Sequence, residues 1–308
     1  MKRIIFDAHQ DLAQYPLFSG SRAGMRETTL NDLLKKNFRL VTASIYPLTK
    51  SPNVNAFILS QLTNFFSIIF EDLSVRVVHD LAEMQLCLSN NYLGFLLHLE
   101  GLDFLEKPDQ IRRWYDIGFR SAGLVWKAQN LFATPCNIDD TTGLTPDGKA
   151  LIKLLEEKRI IVDLAHLNRQ GFDDAVEVAE KPLIFSHGNC RALSDQPRNL
   201  TDSQMAELKL NGGIFCLSFY PPFVKNTKKV RLADLVEHFE RAIKIMGEDQ
   251  VGLGSDFGGM LCKKRIAGMR GVYEIDHLFL VLKKHGFSES LIQKIAWENL
   301  YNFYQKVL

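Results

Sequence analysis

The stretch Ile4-Ile5-Phe6-Asp7-Ala8-His9-Gln10-Asp11 combines an apolar, strand-like run with two potential metal ligands, His9 and Asp11. Residues two apart on an extended backbone face the same side, so these two side chains can hold one ion. The pattern of an apolar run followed by a metal-binding side chain recurs four times, at Glu100, His166, His187 and Asp256. Strands that all end in such a residue are what a barrel needs to gather distant ligands at one rim. The pattern therefore predicts an enzyme with a metal centre.

Strand-like runs alternate with helical patterns along the chain. We predict strands at 3–8, 39–46, 92–99, 119–126, 160–164, 183–186, 213–219 and 250–254. The predicted helices are 56–70, 109–117, 146–158, 171–180, 203–211, 232–246, 273–285, 288–297 and 299–307. This order predicts an α/β fold, a (β/α)8 TIM barrel, as a single domain over residues 1–308 with C-terminal capping helices. A doubly wound open sheet gives a similar order but concentrates its site at one switch point, whereas these candidates follow five different strands.

Composition and charge narrow the classes of partner. The 308 residues include 37 basic and 36 acidic side chains, a formal charge of +1 without a dense basic stripe, so we expect no nucleic-acid partner. No apolar run approaches the roughly 18 residues of a membrane span, and the one after Met1-Lys2-Arg3 is too short for a signal peptide. The cysteines are odd in number, scattered and without a Cys-x-x-Cys pair: Cys87, Cys136, Cys190, Cys216 and Cys262. We therefore expect a soluble, cytoplasmic protein in a reducing compartment, with no membrane partner.

The candidate ligands are carboxylates and imidazoles, which suit Zn²⁺ or a similar divalent ion. Each has a plainer explanation alone: Glu100 as a solvated glutamate at a strand end, His166 and His187 as hydrogen-bonded core histidines. Their joint placement at successive strand ends favours one shared site. His98, two residues before Glu100, is expected to face the barrel interior. The remaining histidines fall in helical or connecting segments, and we expect them at the surface: His79, His238, His277 and His285.

A further signal lies in the order of six segments: Phe6-Asp7-Ala8-His9-Gln10-Asp11-Leu12, His98-Leu99-Glu100-Gly101, Asp163-Leu164-Ala165-His166, Phe185-Ser186-His187, Pro197-Arg198-Asn199 and Gly254-Ser255-Asp256-Phe257. In order and spacing this set resembles the membrane dipeptidase (renal dipeptidase) family of metallopeptidases, peptidase family M19, over essentially the full chain. The resemblance implies a TIM barrel of the metal-dependent hydrolase type, with two zinc ions per chain. It assigns His9 and Asp11 to one ion and His166 and His187 to the other, with Glu100 as the bridge.

The resemblance also implies a reaction, the hydrolysis of the peptide bond of dipeptides, including those with a C-terminal D-residue. A hydroxide held between the ions bridged by Glu100 would attack the scissile carbonyl. Asp256 would carry the proton to the leaving amine, first as general base and then as general acid. Arg198 would bind the C-terminal carboxylate of the substrate as a bidentate pair, and Tyr220 would line the same pocket. A homodimer is a further implication.

Two positions depart from the family pattern. Lys127 stands at or near the place where relatives such as the mammalian enzyme carry a histidine that steadies the developing oxyanion. Its cation could do the same electrostatic work, or it could exclude one substrate charge and invite another. A carboxylated lysine that bridges the metals is a third possibility, which Glu100 makes redundant. Gly258 replaces a second acid after strand eight, and we expect only a loop-level effect.

Two other functions stay open at this point. One is a metal-dependent hydrolase of another bond, such as a lactone, a cyclic amide or a phosphoester. The other is a non-catalytic barrel that binds a peptide, which the complete set of competent ligands disfavours. We expect specificity to depend on loops 221–230 and 261–272. The aromatic stretch 57–70 is expected to pack against the barrel or a second subunit.

Overall fold

The protein is built around a nine-stranded, parallel sheet, eight strands of which close into a barrel. The computed structural model describes residues 2–14, 27–48, 53–70, 72–260 and 264–308. The strands are β1 Ile5–Gln10, β2 Phe38–Ile45, β3 Val75–Val77, β4 Leu93–Glu100, β5 Phe119–Gly123, β6 Ile161–Asp163, β7 Ile184–Gly188, β8 Ile214–Leu217 and β9 Val251–Leu253. Because β1 pairs with both β2 and β9, the ring closes, and the predicted (β/α)8 TIM barrel is confirmed.

Strand β3 stands outside the ring and was missed by the sequence prediction. It pairs with the first residues of β4, and β5 pairs with the later residues along the same edge of β4. The opposite edge of β4 pairs with β2. A run of three residues is too short for a strand periodicity to be recognised. The barrel order is therefore β1, β2, β4, β5, β6, β7, β8, β9, and each consecutive pair is parallel.

Helices cover the outer face of the ring. They are Leu30–Lys35, Val54–Phe70, Leu81–Asn90, Ile111–Ile117, Pro146–Glu157, Arg169–Val178, Asp202–Leu210, Pro221–Val224, Leu232–Met246, Asp276–Lys284, Glu289–Gln293 and Asn299–Val307. The prediction missed Leu81–Asn90, although the side chain of Asp80 caps it by accepting from the Glu83 N–H. An acidic N-cap followed by Glu three residues later is a helix-start signal that could have found it. None of the helices in the described ranges is long and apolar enough to cross a membrane.

A cluster of apolar side chains fills the end of the barrel where the strands begin. It joins residues from six barrel strands with the helix Asn299–Val307, whose Tyr304 ring lies 5.1 Å from that of Phe6. The Tyr304 hydroxyl is 3.0 Å from the hydroxyl of Thr42 on β2, so its polar end is hydrogen-bonded inside the barrel. The described cysteines are buried, free thiols, while Cys262 and residues 261–263 of the predicted loop lie outside the described residues. This packed end leaves the opposite, carboxyl-terminal rim for chemistry.

Two seams of the barrel are held by buried aspartates. The β1–β9 and β6–β7 ladders each contain one registered residue pair, Asp7 with Leu253 and Asp163 with Ile184. Next to the first, Asp7 accepts from the N–H and the hydroxyl of Ser255 at 2.8 and 2.5 Å. Next to the second, Asp163 accepts from the same two groups of Ser186. Side chains thus supply cross-strand hydrogen bonds where the backbone supplies few.

We predict that Ser255→Ala lowers the free energy of unfolding by about 1–3 kcal/mol, because the buried Asp7 carboxyl loses a donor that nothing replaces. Urea unfolding of chelator-treated protein measures the change without a contribution from bound metal. The matched control is Ser67→Ala, an exposed helical serine whose hydroxyl bonds to Asn64 O. We expect that control to stay within about 0.5 kcal/mol of the parent. Equal losses for the two variants would contradict the bracing role.

Candidate metal centre

All six predicted ligands converge at the rim where the barrel strands end. Their ligand atoms form three overlapping groups, within each of which the atoms lie no more than 4.8 Å apart. The groups are His9 with Asp11 and Glu100, Glu100 with His166 and His187, and His9 with His187 and Asp256. The sequence prediction that these side chains meet is therefore confirmed by their positions. Because the groups share members, the arrangement is a single cluster.

Glu100 lies at the centre of this cluster. Its Oε1 atom is 2.7 Å from His166 Nε2, 3.3 Å from His187 Nε2 and 3.6 Å from His9 Nε2. The other oxygen, Oε2, accepts a hydrogen bond of 3.1 Å from Ser44. Burial alone would raise the pKa of Glu100, but the facing imidazoles, His9 first, hold it well below its usual range. The side chain is therefore a carboxylate with one oxygen directed at three imidazoles.

His9 is buried without a hydrogen-bond partner. Within the described residues, neither of its ring nitrogens has one, and its Nε2 lies 3.8 Å from Asp11 Oδ2. Burial and the neighbouring His187 hold the pKa of His9 well below its usual range. Burial, followed by Arg198, lowers the pKa values of His166 and His187 to about 3. Neutral imidazole is the form that binds a metal, and an unsatisfied buried nitrogen is costly. The cluster thus fits a divalent cation.

Local backbone geometry positions His166, Asp256 and Asp11 in the cluster. His166 and Asp256 have φ values of +73° and +65°, a left-handed conformation that is uncommon for non-glycine residues. A Cβ on Gly259 would lie 1.8 Å from Asp11 Oδ2, and one on Gly258 would lie 2.7 Å from Asp11 O. Gly258 also has a φ of +91°. This loop therefore excludes a side chain at 258, so the departure from the family acid has a steric basis in the described conformation.

A small pocket opens above the cluster. Its cavity volume is about 130 Å³, and its walls include Asp256 together with the predicted substrate-binding residues Arg198, Tyr220 and Lys127. Phe223, in the predicted specificity loop 221–230, also lines the pocket, whereas the wall residues Tyr46 and Trp126 were missed by the sequence prediction. Predicted strands ran through 46 and 126, whereas β2 ends at Ile45 and β5 at Gly123. Taking the residues just after every strand, instead of only potential ligands, would have found Tyr46 and Trp126.

Arg198 has donors directed at no protein acceptor. Its Nη2 donates to His187 O at 3.1 Å, while the buried Nε and Nη1 lack a partner in the part of the chain that is described. Its guanidinium carbon is 5.4 Å from the Phe223 ring centre and 5.8 Å from that of Phe185. Arginine presents donors in a fork that matches a carboxylate. The pocket therefore offers an anion-binding group beside the metal cluster.

Lys127 lies on the face of an aromatic ring. Its Nζ is 3.8 Å from the centre of the Trp126 ring, and that ring centre lies 4.6 Å from that of Tyr46. Among the described residues, Lys127 has no ion pair with an acid. The alternative of a carboxylated lysine gains no support from a side chain packed on Trp126.

One surface prediction was wrong, since His238 is buried. Its Nδ1 accepts from the N–H of Cys190 at 3.0 Å, and its Nε2 donates to Val224 O at 2.8 Å. It therefore joins the loop before Arg198 to the short helix Pro221–Val224 that follows Tyr220. The sequence carried a signal, because 238 is three residues after Leu235 and four before Ala242, on the buried face of the helix Leu232–Met246.

Comparison with known proteins gives the family. The sequence profile described as membrane dipeptidase (peptidase family M19) matches residues 1–307. The chain belongs to this family. Its members are metallo-dipeptidases, so this M19 chain is placed among the hydrolases that work with a metal.

Relatives and solved structures agree with this placement. An uncharacterized protein in the pqqA 5' region of Klebsiella pneumoniae is 30% identical over 73% of this chain and 86% of its own length. Dipeptidase tcpJ of Claviceps purpurea is 29% identical over 69% of this chain but 50% of its own length, so the match spans half of that relative. A crystal structure of a metallopeptidase from Rhodobacter sphaeroides, liganded with a phosphinate mimic of the dipeptide L-Ala-D-Ala, has a TM-score of 0.90 at 24% identity, and 100% of each chain is covered. That likeness shows the fold.

We predict that Gly259→Ala weakens zinc binding about 10- to 100-fold, because the new methyl group must displace Asp11 or Asp256. Competition against a fluorescent chelator measures the affinity of the M19 protein for added Zn²⁺. Gly123→Ala is the control, since the nearest atom that its Cβ would meet is Asp163 O, at 3.6 Å, an ordinary van der Waals distance. Unchanged zinc affinity in the Gly259 variant would contradict the proposed crowding.

His238 predicts a pH dependence of stability. Burial lowers its pKa from 6.5 to about 4 in the folded chain, so between these values the unfolded chain binds a proton that the folded chain does not. The free energy of unfolding therefore falls as the pH drops through this window, by about 3 kcal/mol for this group. Urea unfolding at pH 7 and pH 4 should show a correspondingly smaller drop for His238→Gln. The exposed-site control His277→Gln should drop as much as the parent, and equal drops for all three proteins would refute the assignment.

Proposed function

We propose that this chain is a zinc-dependent dipeptidase that holds two zinc ions and hydrolyses the peptide bond of dipeptides. The observation that carries the proposal is Glu100 Oε1 facing three imidazoles from three other strands, with the unpaired donors of Arg198 in the same pocket. His9 and Asp11 would hold one ion, His166 and His187 the other, and Glu100 both. Nitrogen and carboxylate oxygen ligands of this kind suit zinc.

The ions, when bound, supply Lewis-acid polarisation of the scissile carbonyl and make the attacking water more acidic. The protein supplies the remaining functions. Asp256, whose carboxylate belongs to the group with His9 and His187 and lines the pocket, would take the proton of the water and deliver it to the leaving amine. Its backbone N–H donates to His9 O at 3.0 Å, which fixes this acid beside the cluster.

Substrate length follows from the pocket. Arg198 would bind the C-terminal carboxylate of the substrate, with Phe223 packed against the guanidinium and Tyr220 beside it. Because Arg198 and the metal cluster line the same small pocket, a substrate whose free carboxylate lies close to its scissile bond fits better than the interior of a long chain. The ligand of the Rhodobacter sphaeroides structure, a mimic of L-Ala-D-Ala, supports including dipeptides with a C-terminal D-residue. A homodimer and a cytoplasmic location stay predictions.

The first test is metal-dependent hydrolysis. We expect purified protein to bind two equivalents of Zn²⁺, to lose dipeptide hydrolysis on chelation and to regain it when Zn²⁺ is returned. A substrate panel should contain dipeptides with L and D C-terminal residues, lactones and phosphoesters. Inert dipeptides combined with turnover of a lactone or phosphoester would refute a dipeptidase in favour of the other hydrolase class.

The same assay tests the carboxylate clamp. We predict that Arg198→Gln lowers kcat/KM for a dipeptide about 100-fold, mostly through KM, because the ionic partner of the substrate carboxylate is lost. The loss should be small for the corresponding dipeptide amide, which has no carboxylate. Arg191→Gln is the matched control, since Arg191 pairs with Asp195 outside the pocket. Equal losses on the acid and the amide would contradict the clamp.

A further inference from the structure

The pocket holds two cations on different walls, and each is packed against aromatic rings. Arg198 lies near Phe223 and Phe185, and Lys127 lies on Trp126. Both side chains line the same cavity as the candidate ligands. A dipeptide has one C-terminal carboxylate, which accounts for one of the two cations. The carboxylates that act on Lys127, those of Glu100, Asp11 and Asp256, all belong to the candidate metal cluster. When that cluster holds its ions, the second cation is matched by a further anionic group on the substrate.

The position of each wall in the ring is fixed by the strand it follows. Arg198 comes after β7, and its neighbour Phe223 comes after β8. Trp126 and Lys127 follow β5, which is two places from β7 around the eight-strand ring, and Tyr46 directly follows β2, which is four places from β7. Trp126 packs against Tyr46, and Lys127 lies on Trp126. The Lys127 wall therefore occupies the part of the rim between β2 and β5, apart from the Arg198 wall after β7 and β8.

This arrangement orients a dipeptide. With its carboxylate on Arg198 and its scissile carbonyl above Glu100, the substrate must direct its N-terminal residue away from Arg198, toward Tyr46, Trp126 and Lys127. The ammonium of Lys127 is held by cation–π contact and is exposed, so it is available to a ligand. The α-amino group of the substrate carries a positive charge of its own. A neutral N-terminal residue would thus bring like charges together, whereas an acidic side chain would offset them.

We propose that Lys127 is a specificity-determining residue that selects dipeptides with an acidic side chain on the N-terminal residue. The proposal rests on the dipeptidase function proposed above and names its substrate class. It differs from a role for Lys127 in steadying the oxyanion, because that role would act on every dipeptide alike. Charge selection instead changes the ratio between substrates that differ only in side-chain charge.

The experiment compares isosteric substrates on the zinc-loaded enzyme. The substrates are L-Glu-L-Ala and L-Gln-L-Ala, with L-Ala-L-Glu and L-Ala-L-Gln as the reversed pair. We expect the parent to prefer L-Glu-L-Ala over L-Gln-L-Ala by about 10- to 100-fold in kcat/KM, with no comparable preference in the reversed pair. Lys127→Met should abolish the preference, because kcat/KM for L-Glu-L-Ala should fall about 10- to 100-fold more than kcat/KM for L-Gln-L-Ala. Lys127→Glu should favour L-Lys-L-Ala, and Lys153→Met, on an exposed part of the helix Pro146–Glu157, should change nothing.

The possible outcomes distinguish a failure of charge selection by Lys127 from a failure of the proposed dipeptidase function. An equal loss on L-Glu-L-Ala and L-Gln-L-Ala in Lys127→Met would overturn charge selection and assign Lys127 to the chemistry common to all substrates. An acidic preference confined to the reversed pair would overturn the assignment to the N-terminal residue. Cleavage of all four dipeptides without any charge dependence would overturn the selection and leave the dipeptidase intact. Failure to cleave any of them would overturn both.

Discussion

The carboxylate of Glu100 is buried at the centre of the barrel mouth, and it faces imidazoles from β1, from the residues after β6 and from β7. A buried carboxylate is expensive unless it is paired, and here one oxygen faces three nitrogens at 2.7 to 3.6 Å. Neutral histidines compensate it only in part, because burial holds their pKa values low. Divalent cations between these groups would complete the compensation. The mouth of the barrel is therefore organised around a charge that the protein leaves for metal to balance.

This incomplete compensation explains why the barrel has two different ends. At the mouth, His9 lacks hydrogen-bond partners among the described residues, and His166 and Asp256 have left-handed backbone conformations. Each feature costs stability in a chain without metal. At the other end, an apolar cluster from six strands packs against the helix Asn299–Val307. The buried Asp7 and Asp163 lie between the two ends and join the seams that have the fewest backbone pairs. The packing of the apolar end and the hydrogen bonds of Asp7 and Asp163 offset the free-energy cost of the unsatisfied and left-handed residues at the mouth.

The sequence was sufficient for the ring and for the ligands, for one physical reason. Parallel strands in a barrel end at the same rim, so a ligand at the end of each apolar run must approach the others, as Glu100 and His166 do. The walls of the pocket were harder to predict from the sequence. Trp126 was placed in a strand that ends three residues earlier, and only the turn after Gly123 brings its ring beside Tyr46. Loop conformation depends on tertiary contacts that no periodicity records. His238 was an avoidable error, since its helical position already indicated burial.

The buried His238 connects the two chain segments that form one wall of the pocket. The loop that carries Arg198 and the segment that carries Tyr220 and Phe223 belong to neighbouring strands, and each is connected to the other through a side chain. His238 bonds to the backbone of Cys190 and Val224, and Asn199, next to Arg198, donates to Phe223 O at 2.8 Å. A guanidinium can discriminate a carboxylate only if its own position is fixed beforehand. The rigidity of the Arg198 wall therefore comes from hydrogen bonds behind it. In the other wall, Lys127, Trp126 and Tyr46 stack on one another, and the buried Gln61 side chain hydrogen-bonds to the N–H and the carbonyl of Tyr46. Changes of specificity are easier to accommodate at the stacked wall, because its residues can be exchanged without leaving a buried backbone group unpaired.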